Sequence, residues 1–459
     1  MRDMSRNDTS LLMNHASRYK LLRTVRLRKH LKPVHTGSIL IWSSKPLMIK
    51  LSGLSCAALA AALAIAAPAM AASPSVSGSD TGKIGATPLP TGPAPTPTSP
   101  AGDKATPTPP VLPDMSAYVL MDAKTGAILV EAAPDLQVPP ASLTKLMTAH
   151  LVYQALAHGA LKINQIVPVS ANAWHQQGST MFIQPSSVVT VDQLLHGLLI
   201  DSGNDAAVAL AEQIAGSTDA FAQLMNTEAQ KLGLKDTHYA NPTGLPAPDL
   251  HTSALDVALL TRTILQDEPQ IIDITKVQTY TYAGITQRNW NPVIFKDPTV
   301  DGLKTGLTDE SGHCIDATAS RGNMRLIAVV MGGPTWSAST AAIESLLDYG
   351  QRFFTDATIA TAGQQISVLK SPALNSGEVP VGVAQDAVVT LPLDAQKSIV
   401  HTITYTADLT PGVTKGEVLG NVTFSANGKA LAEAPIVALA DSPPATFFTK
   451  LSNKLRKLL

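Results

Sequence analysis

An α+β fold is expected, in which an antiparallel sheet carries packed helices and a mostly helical subdomain, followed by a small C-terminal all-β domain. Three observations predict it. Strand-like apolar runs lie on both sides of a long helix-rich stretch: Ala117 to Asp122 and Ala127 to Glu131 before it, His313 to Ser320 and Met324 to Met331 after it. One sheet built from both ends, with helices inserted between, accounts for that order. From about Thr361 to Ala440 the texture changes to short alternating runs punctuated by glycine and proline, the pattern of a small β module. The third observation is size, since 459 residues suffice for two to three domains. A net charge of −1 gives no case for nucleic acid as a partner, and two cysteines, Cys56 and Cys314, exclude a disulfide framework or a cysteine-based metal site.

The first hundred residues stand apart from the folded chain. Residues 1–47 are basic, with Arg23, Arg26, Arg28, Lys29 and Lys32 clustered, and translation is expected to begin at Met48. Residues 48–72 then read as a secretory signal: Lys50, an apolar run from Leu51 to Ala67, and the small-x-small site Ala69-Met70-Ala71. An uncleaved N-terminal anchor is the alternative. Residues 73–113 are a Pro/Thr/Ser-rich tract, too poor in apolar side chains to form a core and stiffened by its prolines, hence a spacer.

Within the folded part, residues 114–360 form the expected main domain. Ala123-Lys124-Thr125-Gly126 reads as the turn of a hairpin. Pro139-Pro140 then set an entry turn, and the periodicity of Leu143, Leu146, Met147, Leu151, Val152 and Leu156 predicts a buried helix starting at about Ala141. Further helices are predicted from Thr190 to Ile200, Ala206 to Ala215, Ser217 to Gly233, Ser253 to Leu265 and Thr340 to Phe354. Ser202 and Asn204 fall on the tight connection between the first and second of these, where two residues one apart can project the same way; the local alternative is that Asn204 or Asp205 caps the helix. Asp301 to Thr308 opens the second group of strands. Residues 361–440 form the β module. Residues 444–459 place Phe447, Phe448, Leu451, Leu455 and Leu458 on one helical face and Lys450, Lys454 and Lys457 on the other, too short to span a bilayer but suited to lying on an anionic membrane surface.

The chemistry starts at Ser142 and Lys145. Three residues apart on one helix, they share a face, so the lysine amine can reach the serine hydroxyl. A serine is a weak nucleophile at neutral pH unless a neighbouring base takes its proton, and a lysine is that base when burial or a second cation depresses its pKa. The spacing alone is weak, because Ser17 to Lys20 and Ser367 to Lys370 repeat it. Two later elements change the odds: Ser202-Gly203-Asn204, and Lys304-Thr305-Gly306 on a strand. Lys304 supplies a second cation and Thr305 a hydroxyl for a substrate carboxylate, while Gly306 lets a flat substrate lie against the strand. Backbone N–H groups of Ser142 and Leu307 then form an oxyanion hole. Acyl transfer from a substrate ending in a free carboxylate follows. Lys124-Thr125-Gly126 precedes the nucleophile and lies between strands, so it is read as a turn. His150 and His158 are too far apart along a helix to share a metal and no His-Glu-x-x-His run exists, so neither a metal nor a cofactor is expected.

The ordered set Ser142-Leu143-Thr144-Lys145, Ser202-Gly203-Asn204-Asp205-Ala206, Asp301-Gly302-Leu303-Lys304-Thr305-Gly306 and Met324 to Val330 resembles the low-molecular-mass penicillin-binding proteins that are D-alanyl-D-alanine carboxypeptidases, peptidase family S11. The resemblance covers about Met115 to Leu459, and the glycine at the centre of Ser202-Gly203-Asn204 is that group's form. It implies a penicillin-recognising serine transpeptidase-like catalytic domain and a periplasmic enzyme peripheral to the bacterial inner membrane. Such an enzyme removes the terminal D-alanine from peptidoglycan pentapeptide stems through an acyl-enzyme on Ser142, with Lys145 as proton acceptor, and is acylated by β-lactams. Three alternatives are endopeptidase action on cross-links, a serine β-lactamase, and a wall-binding protein without turnover. Of the carboxylates Glu212, Glu228 and Glu268, none is placed by pattern to deacylate as a class A β-lactamase requires, and the intact Ser142, Lys145 and Lys304 argue for turnover.

Overall fold

The computed structural model describes residues 108–393, 399–426, 428–447 and 449. The leader, the signal, most of the Pro-rich tract and most of the terminal amphipathic segment therefore lie outside the described residues. Among the described residues no helix is long and apolar enough to cross a membrane.

The main sheet has five antiparallel strands in the order β2-β1-β5-β4-β3: β1 Ala117–Asp122, β2 Ile128–Ala132, β3 Val300–Thr308, β4 Gly312–Arg321 and β5 Met324–Gly333. The two ends of the main domain meet at β1 and β5, where Ala117 pairs with Met331 and Met121 with Ile327. This leaves β3 as an edge. Alternation along β1 sends Ala117, Val119 and Met121 to one face and Tyr118 and Leu120 to the other, and both faces are covered. Helix α6, Trp336–Phe353, covers the second face with Ile343, Leu346 and Leu347, each fully buried. Burial of each such side chain contributes about 1.5–3 kcal/mol.

The first face carries α1 Thr144–Ala157, α2 Val191–Leu199, α3 Asn204–Ala215, α4 Thr218–Lys231 and α5 Ala254–Asp267. Every residue of α1 from Thr144 to Tyr153 is buried, which makes it the central helix of the subdomain. Most of the helix starts follow from their capping residues: Thr190 forms a reciprocal capping box with Gln193, while Ser217, Ser253 and Thr335 each accept from the third backbone N–H of their helix. Because Thr335 is such a cap, α6 begins at Trp336 rather than near Thr340.

The β module comprises β6 Phe354–Ala360, β7 Gln365–Lys370, β8 Glu378–Val383, β9 Ala387–Pro392, β10 Ile399–Tyr405, β11 Val418–Ala426 and β12 Lys429–Ala438. Five of its strands form a sheet in the order β7-β8-β12-β11-β10, and β6 pairs with β9. The Lys124-Thr125-Gly126 turn belongs to this contact: Asp122 accepts from the Thr125 N–H and hydroxyl, and the Thr125 hydroxyl meets that of Thr390 at 2.6 Å. The first Lys-Thr-Gly is thus a structural turn between the two parts.

Candidate active site

Ser142 does not lie in an α-helix. Ala141–Leu143 form a 3-10 turn and α1 starts at Thr144. The cause is local: Ala141 has φ 46°, which breaks the helical path one residue before the serine. That bend fits against Gly244, whose φ is 83° and where an added Cβ would lie 1.8 Å from the Ala141 carbonyl oxygen. Only glycine is compatible with this approach. The turn keeps Ser142 half-buried, with Lys145 Nζ 2.8 Å from its Oγ.

Lys145 is wholly buried on α1, and its other two neighbours are acceptors. They are Asn204 Oδ1 and the Thr243 carbonyl, each at 2.7 Å. The Asn204 amide is oriented by its own Nδ2, which donates to the Gln177 carbonyl at 2.6 Å, so the oxygen must face the lysine. The Thr243 carbonyl is set by a compact turn in which Asn241 Oδ1 accepts from the N–H groups of Thr243 and Gly244 and from the Thr243 hydroxyl.

Asn204 is the first residue of α3, with Gly203 as N-cap, so neither the extended loop nor an Asn204 cap describes it. Ser202 adopts φ 58°, which turns its side chain to a different partner: Lys304 Nζ donates to Ser202 Oγ at 2.9 Å. The segment Gln177 to Ile183 clamps this corner. Ser179 Oγ donates to the Ser202 carbonyl, the Asn204 N–H donates to the Ser179 carbonyl, and buried Asp205 accepts from the N–H groups of Met181 and Ile183.

Lys304 lies on the edge strand β3, paired with Asp316 of β4, and also donates to the Thr305 carbonyl at 2.9 Å. Beyond it, β3 passes against the serine: a Cβ at Gly306 would lie 3.1 Å from the Ser142 nitrogen. The strand is braced at its start by Arg325, whose two terminal nitrogens donate to the two Asp301 oxygens at 2.9 and 2.8 Å. The open cleft in front of these groups has a volume of about 370 Å³ and is lined by Ser142, Gly178, Ser179, Ser202, Trp290, Thr305, Gly306, Leu307 and Trp336.

Charge in the cleft is governed by burial. Burial first, then the Lys304 cation, hold Lys145 well below the usual amine value, with Asp205 opposing. Burial alone brings Lys304 down to about 7. Asp201 is pushed up to about 7 by burial and then by Asp205. Among the described residues no carboxylate lies within ion-pair distance of either lysine. Cys314 is buried and free, and no group of three His, Cys, Asp or Glu side chains among the described residues is placed to hold a metal ion.

All of Ser142, Lys145, Ser202, Asn204, Lys304, Thr305, Gly306 and Leu307 are brought together around this cleft. Sequence reading did not find the Thr243 carbonyl, the clamp through Ser179 and Asp205, or the aromatic wall of Trp290 and Trp336. The Asn241-Pro242-Thr243-Gly244 turn was the one available signal for the carbonyl, and it marks only a turn.

The family model described as D-alanyl-D-alanine carboxypeptidase matches residues 104–335, and the one described as penicillin-binding protein 5, C-terminal domain, matches residues 354–443. D-alanyl-D-alanine carboxypeptidase DacA of Escherichia coli K12 is 35% identical over 351 residues, covering 75% of this chain and 87% of the relative. Among solved structures, penicillin-binding protein 5 from Haemophilus influenzae superposes with a TM-score of 0.68 at 35% identity, over 73% of this chain and 99% of that one. Penicillin-binding protein 6B from Escherichia coli gives 0.60 at 35% identity, over 74% and 99%.

Proposed function

Since the chain belongs to the D-alanyl-D-alanine carboxypeptidase family of serine peptidases, we propose that its carboxypeptidase reaction runs through an acyl-enzyme on Ser142 with Lys145 as the base. The observation that supports this most is the set of three contacts at Lys145 Nζ. Asn204 Oδ1 and the Thr243 carbonyl can only accept, so a neutral amine gives its two protons to them and turns its lone pair to Ser142. The serine hydroxyl then donates to the amine, the arrangement from which its proton is lost.

Attack of Ser142 Oγ on the carbonyl carbon of the terminal peptide bond places negative charge on the carbonyl oxygen, which the N–H groups of Ser142 and Leu307 receive. The proton held by Lys145 passes to the departing nitrogen, releasing D-alanine and restoring the neutral amine. The same amine then takes a proton from water as it attacks the ester, and gives it to Ser142 Oγ as the acyl–oxygen bond breaks, releasing the shortened peptide and the free serine. Lys304 and Thr305 receive the terminal carboxylate of the substrate, Ser202 couples Lys304 to the site, and Asn204 orients Lys145. β-Lactams acylate the same serine because they present a strained amide beside a carboxylate.

The substrate is a peptidoglycan stem peptide. The protein works outside the cytoplasm at the membrane surface, delivered by the signal in 48–72, with 444–459 as the surface anchor; the catalytic domain expected over 114–360 ends at residue 353 and the β domain expected over 361–440 starts at 354, because strand Phe354–Ala360 pairs with Ala387–Pro392. The test is D-alanine release from a pentapeptide ending in D-alanyl-D-alanine, with labelled penicillin, by the parent and Ser142→Ala. Release and covalent labelling by the parent alone are expected; labelling of the alanine variant would remove Ser142 from the mechanism.

A further inference from the structure

A second hollow opens beside the cleft. It has a volume of about 470 Å³ and is lined by Gln287, Arg288, Asn289, Trp290, Pro292, Phe295 and Trp336. Trp290 and Trp336 also line the Ser142 cleft, so the two spaces share these two residues as wall. Arg288 stands at the end of the exposed hairpin Thr279–Tyr282 and Ile285–Arg288. Its guanidinium carbon lies 3.8 Å from the centroid of the Phe295 ring. Stacking on an aromatic face fixes the guanidinium plane and leaves its edge donors free. Among the described residues no carboxylate pairs with Arg288, and it is the one cation among the residues lining this hollow.

We propose that this hollow is a subsite for a second carboxylate of the peptide substrate, with Arg288 as the specificity-determining cation and Trp290 and Trp336 as the apolar wall it shares with the serine cleft. The inference rests on the carboxypeptidase reading above. Lys304 is buried and already engaged by Ser202 and the Thr305 carbonyl, so one terminal carboxylate saturates that end of the cleft. Any further negative charge on the substrate needs its own cation. Gln287 and Asn289 are held by the fold: Gln287 Nε2 donates to the Thr180 carbonyl and Asn289 Nδ2 to the carbonyls of Thr275 and Val277. The hollow therefore keeps its shape while Arg288 stays available, and a planar fork suits a carboxylate. Such a group has two sources in this chemistry: the free α-carboxylate of a γ-linked glutamate on the acyl side, or a carboxylate on the leaving side of a cross-linked peptide.

The experiment is calorimetric binding to the full chain carrying Ser142→Ala. The first pair of probes is L-Ala-γ-D-Glu-L-Lys-D-Ala-D-Ala and the same peptide with its glutamate α-carboxylate amidated. The second is a cross-linked peptide dimer with its leaving-side carboxylate free or amidated. Within one pair, the free acid is expected to bind about fivefold more tightly, the size of a solvent-accessible ion pair. Adding Arg288→Gln removes that preference, Arg288→Lys retains part of it, and the amidated peptide is unaffected by either. In the active chain, Arg288→Gln raises KM for the acid and leaves kcat unchanged. Equal affinity within both pairs, or a preference that survives Arg288→Gln, overturns the subsite. Absence of D-alanine release by the parent overturns the carboxypeptidase reading instead, because the binding comparison does not use turnover.

Discussion

Helix α1 carries two buried cationic side chains five residues apart, Lys145 at 0% and His150 at 1% exposure, and they meet opposite fates. Lys145 is surrounded by neutral groups: a hydroxyl, an amide oxygen and a peptide carbonyl. His150 is held between two carboxylates, with Nδ1 2.9 Å from Glu268 and Nε2 3.3 Å from Glu228, and Gln154 and Lys231 complete the cluster around Glu228. Burial penalises both cations. At His150 it is outweighed by hydrogen bonds and charge from Glu268 and Glu228, so the imidazole pKa is raised. At Lys145 nothing comparable offsets it, and Lys304 adds repulsion. Depth in the core is the same, and the partners decide whether a buried group holds its proton for stability or gives it up for chemistry.

The largest expected effect breaks the first half of this contrast. Lys145→Arg preserves the cation but not the ability to lose a proton, and D-alanine release should fall about 10³-fold or more in kcat/KM. Loss of less than tenfold would mean that the base lies elsewhere. The second half is broken by His150→Ala, which leaves two carboxylates buried without their partner. A cost of about 3–5 kcal/mol in denaturant unfolding is expected, with kcat per folded molecule unchanged.

Smaller effects sharpen the contrast through pH. The base acts when deprotonated, so kcat/KM rises as Lys145 loses its proton; the carboxylate-binding Lys304 acts when protonated, so kcat/KM falls as pH passes about 7. Replacement by Lys304→Arg should abolish the falling limb of the bell, since guanidinium does not titrate there, and a falling limb that persists would assign it to another group. The smallest effect is in stability. The folded His150 pKa is raised, so its contribution is fully present below about 6.5, the unfolded value, and is lost as pH rises through the folded one. The stability gap between the parent and His150→Gln should therefore narrow with increasing pH; a constant gap would show that His150 contributes packing alone.

Two copies of one tripeptide mark the limit of reading residues without space. Lys124-Thr125-Gly126 and Lys304-Thr305-Gly306 are identical in composition, and hairpin spacing was enough to read the first as a turn and the second as part of a strand. The helices on the first face of the sheet were legible for the same reason, because apolar periodicity and caps such as Thr190, Ser217 and Ser253 are local signals. Helix ends were less so. Ser142 was expected inside an α-helix, and it lies instead in a 3-10 turn after the Ala141 bend, which packs so closely against Gly244, a hundred residues away, that no side chain fits there.

What the sequence determined by itself is what three- and four-residue spacing can express: Ser142 beside Lys145, strand and helix alternation, and the order of the motifs along the chain. Only the tertiary structure decided which lysine each polar residue of Ser202-Gly203-Asn204 would face, Ser202 meeting Lys304 and Asn204 meeting Lys145. It also supplied the Thr243 carbonyl, a backbone group that every residue possesses and no letter marks. The depressed lysine pKa values belong to the same category. They depend on removing water from around the two amines without providing a carboxylate, and that condition is set by how helices α1 and α3 close against the edge of the sheet.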